Sequence, residues 1–594
     1  MDKTVTRALT SQLAEDLGWL EEHCRQRTDH GPQAGQLRLA AAVVRNCLGP
    51  YLDDQPAAPL HIAVVGGAGA GKSTVANFLT GSTAAEANPQ AGFTRHPIVY
   101  TSANGVASWP AHLGFLGPLR RLPQPAPANL DSDVYQVRRV NTEAGVYSLL
   151  QNFVVWDCPD MTTWAASGYV PRLMEIAGLA DVVVYVASDE RYNDEVPTQF
   201  LQLLLQAGKP VVAVIVKMRE ADAPALLSHF QREVLGRVQG KVISCLAIPH
   251  LTAAQLADPV QQAGKYRIPL LNQVAVLGEP VQAARRRTVA WAVHYLTAYQ
   301  NQLLSIARQD VAALQGWRTL VQEGQIEFDH RYQLEFLTGE KFRRFDEALV
   351  RLLELLELPG VGRVLSGALW VVRTPYRLIK YLFSKAVRRP DAPSMPEMPV
   401  LEDSLAGWLD FLRKETARRV DSHPLWAHID KGFAGGLADS ARERFQAGFR
   451  QFQIGLVNEV DQTAREIYEE LEKNPVALNT LRGTKFALEV AAISGTVVMG
   501  GLNVWDIVLI PLAASVTHIL VEQLGKSYVE NKRERARARQ QALVTHYISG
   551  PLAEWLAQWP ATGGSTFERV QLALRRVPSA IQQVSAAVQA AARG

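Results

Sequence analysis

The run Leu60-His61-Ile62-Ala63-Val64-Val65 leads straight into Gly66-Gly67-Ala68-Gly69-Ala70-Gly71-Lys72-Ser73-Thr74. No other stretch narrows so far what this chain folds into. A β-branched strand that ends in G-x-x-x-x-G-K-S and continues as a helix is a phosphate-binding loop. The glycines let backbone N–H groups turn inward around a phosphate. The helix that follows, expected from Ser73 to Leu79, adds the positive end of its dipole. Lys72 is placed to reach the β- and γ-phosphates, and the Ser73 hydroxyl to ligate Mg²⁺. The phosphate-binding set is therefore Gly66, Gly67, Ala68, Gly69, Ala70, Gly71, Lys72, Ser73 and Thr74. A chance glycine-rich turn is the plain alternative, and the strand in front of it argues against that.

Composition sets the surroundings of this loop. A chain of 594 residues is too long for one core and calls for several structural units. The net charge of only +3 gives no global field for nucleic acid, which is not expected as a partner. Four cysteines with no C-x-x-C pair read as reduced thiols of a cytoplasmic protein. Met1 to Leu20 is polar and mixed in charge, unlike a signal peptide.

Residues 1–55 are expected as N-terminal helices packing on a helical bundle, with Leu9, Leu13, Leu17 and Leu20 near helical spacing. Residues 56–262 show strand-like runs at 60–65, 97–101, 134–140, 153–157, 181–187, 210–216 and 241–247. Several are almost continuously apolar, as in strands covered on both faces. The fold class is thus an α/β domain with a doubly wound, mainly parallel sheet, joined to a long all-α helical bundle. The Pro-rich stretch 102–131 reads as an insertion. From 263 strand signals stop. Leu349, Leu352, Leu353 and Leu356 follow i, i+3, i+4, i+7, and Phe445, Phe449, Phe452 and Leu456 share a face. These predict bundle helices over 263–357 and 401–594, divided by a basic apolar segment and linker at 358–400.

Two further elements belong with the phosphate loop. Phe153-Val154-Val155-Trp156 is an apolar strand ending in Asp157, placed to hold Mg²⁺. Gly92-Phe93-Thr94-Arg95-His96-Pro97 places a threonine after the loop helix, where its hydroxyl would meet Mg²⁺ and its N–H a γ-phosphate. A surface turn before a strand is the ordinary alternative for Thr94. The catalytic set is Lys72, Thr94 and Asp157, and the metal set is Ser73, Thr94 and Asp157.

A P-loop, then T-R-x-P, then a strand ending in D-x-P resembles the large dynamin-like GTPases of bacterial type. The resemblance covers about 60–250, and beyond that it is one of architecture. It implies GTP as substrate, hydrolysed to GDP and phosphate, with Mg²⁺ as cofactor. It also implies a switch I threonine at Thr94, a switch II aspartate at Asp157, and a homodimer across the nucleotide face. Two departures stand out. Asp160 occupies the glycine position of D-x-x-G, where a carboxylate facing a γ-phosphate is repulsive unless it points away. The base-reading N-K-x-D reads Val216-Lys217-Met218-Arg219. Lys217 can lie along the base, but the guanine-reading aspartate is replaced by arginine, leaving Glu220 or Asp222 as substitutes. Adenine therefore stays open as the base.

The helical half carries two segments of membrane character. Arg363, Arg373, Arg377, Lys380, Lys385, Arg388 and Arg389 are interleaved with Leu369, Trp370, Tyr376, Ile379, Tyr381 and Phe383, with no acid between. That composition suits an anionic membrane surface. A basic bundle face or an RNA-binding face is the alternative. The second is an apolar hairpin at 486–524, broken by Gly495, Gly500, Gly501, Asn503 and Pro511. Each arm is too short for the ~20 residues of a simple span. Arg482 and Lys485 precede it, and Lys532, Arg533, Arg535, Arg537 and Arg539 follow. This hairpin is expected to lie in the membrane or, alternatively, to fill a bundle core. The expectation is a cytoplasmic protein, peripheral or hairpin-anchored at the inner membrane. The alternative is a soluble regulatory GTPase or ATPase whose helical half binds protein or RNA.

Overall fold

The structure is a computed structural model and describes residues 3–27, 31–53, 59–88, 92–103, 119–141, 149–161, 166–339, 342–356, 396–482 and 510–593. The chain divides into two compact units. One comprises 1–309 with 569–594, the other 310–568. The first unit thus runs past the expected boundary at 262 and takes in the C-terminal residues.

The sheet strands are β1 (Leu60–Gly66), β2 (Ile98–Ser102), β3 (Arg120–Arg121), β4 (Val134–Val140), β5 (Phe153–Asp157), β6 (Val182–Ser188), β7 (Val211–Val216) and β8 (Ser244–Ile248). Their spatial order is β3-β4-β2-β5-β1-β6-β7-β8. Among the described strands, only the β2–β5 pair runs antiparallel. The seven predicted strands are present, with β8 starting at Ser244 rather than 241. The short exposed strand β3 inside the Pro-rich insertion was not predicted, because two arginines carry no strand signal. Every residue of β1, β5, β6 and β7 is buried. Helices cover both faces of these strands, so their sequences are continuous apolar runs without alternation.

Five helices of this unit matter for the site: α1 (Lys3–Arg25), α2 (Gly31–Val43), α3 (Lys72–Thr80), α4 (Ala166–Leu179) and α5 (Glu195–Gln206). The N-terminal helices were expected on the bundle. They pack instead within the sheet unit, on α4. Just after α2, Asn46 donates to the Glu175 carboxylate at 2.8 Å and Arg45 pairs with it at 2.5 Å. Leucine spacing announces a buried helix face but not which neighbour buries it. The C-terminal helix joins this group through Arg569, 4.8 Å over the Trp19 ring.

His61 is buried at the start of β1, where Trp156 Nε1–H donates to its Nδ1 at 3.0 Å. Burial holds its imidazole well below the usual value, and Arg285 and Lys209 add repulsion. The unfolded chain takes up a proton here below about pH 6.5, and the fold does not. This contribution to stability is complete above pH 6.5 and falls as the pH drops, by up to about 1.4 kcal/mol per unit. Thermal unfolding between pH 7.5 and 5.5 should therefore fall more steeply in the parent than in His61→Gln. Equal slopes would reject the assignment.

The second unit is helical. Its main helices are α6 (Arg344–Leu355), α7 (Glu397–Arg419), α8 (Leu437–Glu472), α9 (Ile510–Leu524) and α10 (Lys526–Val544). Leu349, Leu352, Leu353 and Leu356 are buried together with Phe445, Phe449, Phe452 and Leu456 in one core. A buried polar network runs through it. Arg344 pairs with Glu397 at 2.6 Å, and Gln540 donates to the Tyr332 hydroxyl at 2.8 Å.

Two membrane expectations change here. The linker ends earlier than 400, because α7 begins at Glu397 with Pro399 tolerated in its first turn. The described face of the second arm of the apolar hairpin enters the bundle core: Val516 and Leu520 are fully buried, and Ala513 and Ile519 nearly so. Three of the five basic residues behind it are paired. Lys532 meets Glu470 at 2.8 Å, Arg533 meets Asp346 at 3.7 Å, and Arg539 meets Glu459 and Glu466 at 3.0 and 2.8 Å. An apolar run is read equally well by lipid and by a protein core, and here neighbouring helices supply the cover. Residues 357–395 and 483–509 lie outside the described residues. Among the described residues, no helix is long and apolar enough to cross a membrane.

Candidate active site

The loop after β1 is shaped by glycine. Gly66 pairs in register with Val186 of β6, and a Cβ on Gly66 would stand 2.1 Å from the Val186 carbonyl oxygen. Backbone meets backbone at this point, so no side-chain movement relieves the contact. Gly69 and Gly71 have φ of 68° and 87°, the left-handed region that glycine enters without penalty. Gly66→Ala should therefore lower stability by about 3 kcal/mol, at the upper end of overpacking costs. Denaturant unfolding measures this, and a loss below about 1 kcal/mol would contradict the close approach.

α3 starts at Lys72, one residue earlier than predicted, so its first N–H groups face the loop. The Lys72 side chain is only 5% exposed and donates to the Gly67 carbonyl at 3.0 Å. It also forms a buried ion pair with Asp160. Ser73 Oγ donates to Asp157 Oδ2 at 2.7 Å. Asp157 Oδ1 is buried and has no hydrogen-bond partner. Burial pushes the Asp157 carboxyl up to about 6, with the Ser73 bond and Lys72 pulling down and Asp160 pushing up. A buried acceptor left over beside a serine hydroxyl fits a hard divalent cation with oxygen ligands.

Thr94 is buried in the turn before β2 and is not among the groups bonded to Lys72, Ser73 or Asp157. Its neighbours on both sides are anchored. Gly92 N–H donates to Asp160 Oδ2 at 2.6 Å. Arg172 of α4 donates from Nη1 to the Arg95 carbonyl at 2.6 Å. Asp133 and Asp131 hold the same guanidinium at 2.9 and 3.2 Å. Sequence reading missed Arg172. An arginine on an amphipathic helix reads as solvated until its neighbours are known.

Lys217 is the only residue other than glycine with positive φ among the described residues, at 66°. Its Nζ donates to the Gly69 carbonyl at 2.6 Å, laying its stem across the phosphate loop. Single non-glycine residues in this region carry strain that the surroundings must hold. The two candidate base-reading acids are both engaged. Glu220 is paired with Lys265, which holds its carboxyl below the usual range together with a bond from Tyr266. Asp222 pairs with Arg219 at 3.1 Å.

The family described as 50S ribosome-binding GTPase matches residues 61–217. No curated protein matches. Two solved structures are described as an oligomerised bacterial dynamin pair that senses and tethers membranes at long range. One aligns over 94% of this chain and 96% of its own, at 10% identity and TM-score 0.41. The other aligns over 92% and 90%, at 12% identity and TM-score 0.39. Residues 61–217 form a P-loop GTPase domain, set ahead of a long helical region.

Proposed function

We propose that this chain is a nucleotide-dependent switch that hydrolyses GTP to GDP and phosphate and couples the cycle to its helical half at a membrane. The observation that carries the reading is the chain of bonds from Lys72 through Asp160 to Gly92. It ties the phosphate-loop lysine to the segment that bears Thr94, so a change at the phosphates reaches that segment directly. In this reading the loop Gly66 to Thr74 holds the phosphates, and Lys217 flanks the base. Ser73 and Asp157 fit Mg²⁺ and would hold it, with Thr94 joining from switch I. When bound, Mg²⁺ neutralises charge that builds on the transferred phosphoryl group. Thr94 would orient the attacking water and report the γ-phosphate. A second copy of the chain would complete the nucleotide face.

Membrane coupling rests on the basic, aromatic composition of 358–390, since Ala513, Val516, Ile519 and Leu520 are buried. Each basic residue near an anionic surface adds about 1 kcal/mol, screened by salt. The test uses the full chain in two arms. Competition of GTP against ATP reports the base, and stronger ATP binding would remove the GTPase reading. Flotation with vesicles containing anionic lipid reports the surface. Glutamate at Arg373, Arg377, Lys380, Arg388 and Arg389 should release the chain. A parent that never floats, but sediments with ribosomes, would replace membrane coupling by the soluble regulatory reading.

A further inference from the structure

We propose that Asp160 is an internal occupant of the terminal-phosphate position and sets the chain's preference between nucleoside diphosphate and triphosphate. The inference rests on Lys72 as the phosphate-binding lysine and goes beyond it. Asp160 is only 7% exposed and stands three residues past Asp157 at the mouth of β5. One carboxylate oxygen meets the Lys72 ammonium and the other accepts the Gly92 N–H. An ammonium and a main-chain N–H are the two donors that a terminal phosphate draws on in a switch GTPase. A carboxylate offers them the same thing: anionic oxygens held in a fixed fork.

Asp160 does not point away from the phosphate loop. It points at Lys72, and the pair is buried. Asp160 and a terminal phosphate cannot both hold Lys72, because two anions against one buried cation repel strongly where water is excluded. A diphosphate does not contest the position, so Asp160 keeps its bonds. A triphosphate must displace the carboxylate, and the Gly92 N–H is released with it. Arg172 holds the Arg95 carbonyl independently of Asp160. The anchored Arg95 carbonyl bounds the movement on its C-terminal side, so the stretch from Gly92 to Arg95, which contains Thr94, takes it up. Displacement of one carboxylate thus converts triphosphate binding into a local rearrangement around the switch threonine.

The test compares Asp160→Asn, Asp160→Gly and Asp160→Glu with the parent, titrating GDP and a non-hydrolysable GTP analogue in the presence of Mg²⁺. Asparagine keeps the shape and can still accept from Gly92, but it removes the charge. The neutral variants should bind the triphosphate analogue about tenfold more tightly with GDP affinity changed less than about threefold, while the glutamate variant stays near the parent. Hydrogen exchange gives a second readout that does not depend on turnover. In the parent, the Gly92 amide should be protected with GDP and lose protection with the triphosphate analogue. In Asp160→Gly it should exchange quickly with either. Weaker triphosphate binding by Asp160→Asn would make Asp160 a metal ligand and overturn the proposal. Equal changes for both nucleotides, or none, would make the pair with Lys72 a purely structural ion pair and overturn it as well. If Lys72→Ala left both affinities intact, the phosphate-loop reading itself would fall. That failure is distinguishable from the failure of Asp160 alone.

Discussion

Lys72→Ala is expected to abolish triphosphate binding and, in addition, to weaken the fold. The first effect follows from losing the cation at the β- and γ-phosphates. Affinity should drop by at least about 100-fold, the scale of losing a charge-assisted contact in a closed site. The second effect follows from burial. Lys72 and Asp160 are 5% and 7% exposed, and removing the lysine leaves a buried carboxylate without its counter-ion. Stranding one partner of a buried pair typically costs about 3–5 kcal/mol. The double change Lys72→Ala, Asp160→Ala should recover most of the stability and none of the binding. Denaturant unfolding and nucleotide titration on the three proteins separate the two effects. Full binding by Lys72→Ala would end the phosphate-loop assignment. A single variant as stable as the parent would show that the ion pair does not support the fold.

Asp157→Asn is expected to do the reverse to stability. Burial pushes the Asp157 carboxyl up to about 6, above its value in an unfolded chain. Its favourable contribution is therefore present at low pH and lost as the pH rises through 6. Above that, the fold carries an ionised buried carboxylate. With no nucleotide or Mg²⁺ present at pH 7.5, the asparagine variant should unfold at higher denaturant, by about 1–3 kcal/mol. The gap should close below pH 6. Turnover should fall by about 100-fold or more, with GDP affinity within about threefold of the parent, because the lost group acts on the metal and the terminal phosphate. A variant that hydrolyses GTP like the parent would remove Asp157 from the catalytic set.

How far the site was legible depends on the range over which each residue acts. The phosphate loop is a local device. Strand, glycines, lysine and serine follow one another in sequence, and their spacing carries the geometry. Asp157 was legible as a charge closing an apolar strand. Asp160 was visible as a departure, but its direction was not. Whether a carboxylate at that place repels a phosphate or replaces one depends on its distance from Lys72, across the β1–β5 pair. Arg172 gave no signal, since its partners Arg95, Asp131 and Asp133 lie in segments far from it in sequence. Glu220 and Asp222 were legible as acids near the base-reading position. That both are engaged by Lys265 and Arg219 was not.

The sequence by itself determined the class of the first domain, the position of its phosphate loop and the heptad-like faces of the helical half. Each of these is written in short-range periodicity, and backbone geometry allows few alternatives to it. Tertiary structure decided which surfaces those faces meet. It put the N-terminal helices on α4, and it turned Ala513, Val516, Ile519 and Leu520 into core, with Lys532 and Arg539 behind them paired to Glu459, Glu466 and Glu470. Apolar burial is non-directional, so hydrophobic pattern specifies that a face must be covered and leaves the partner to be settled by the packing of the whole unit.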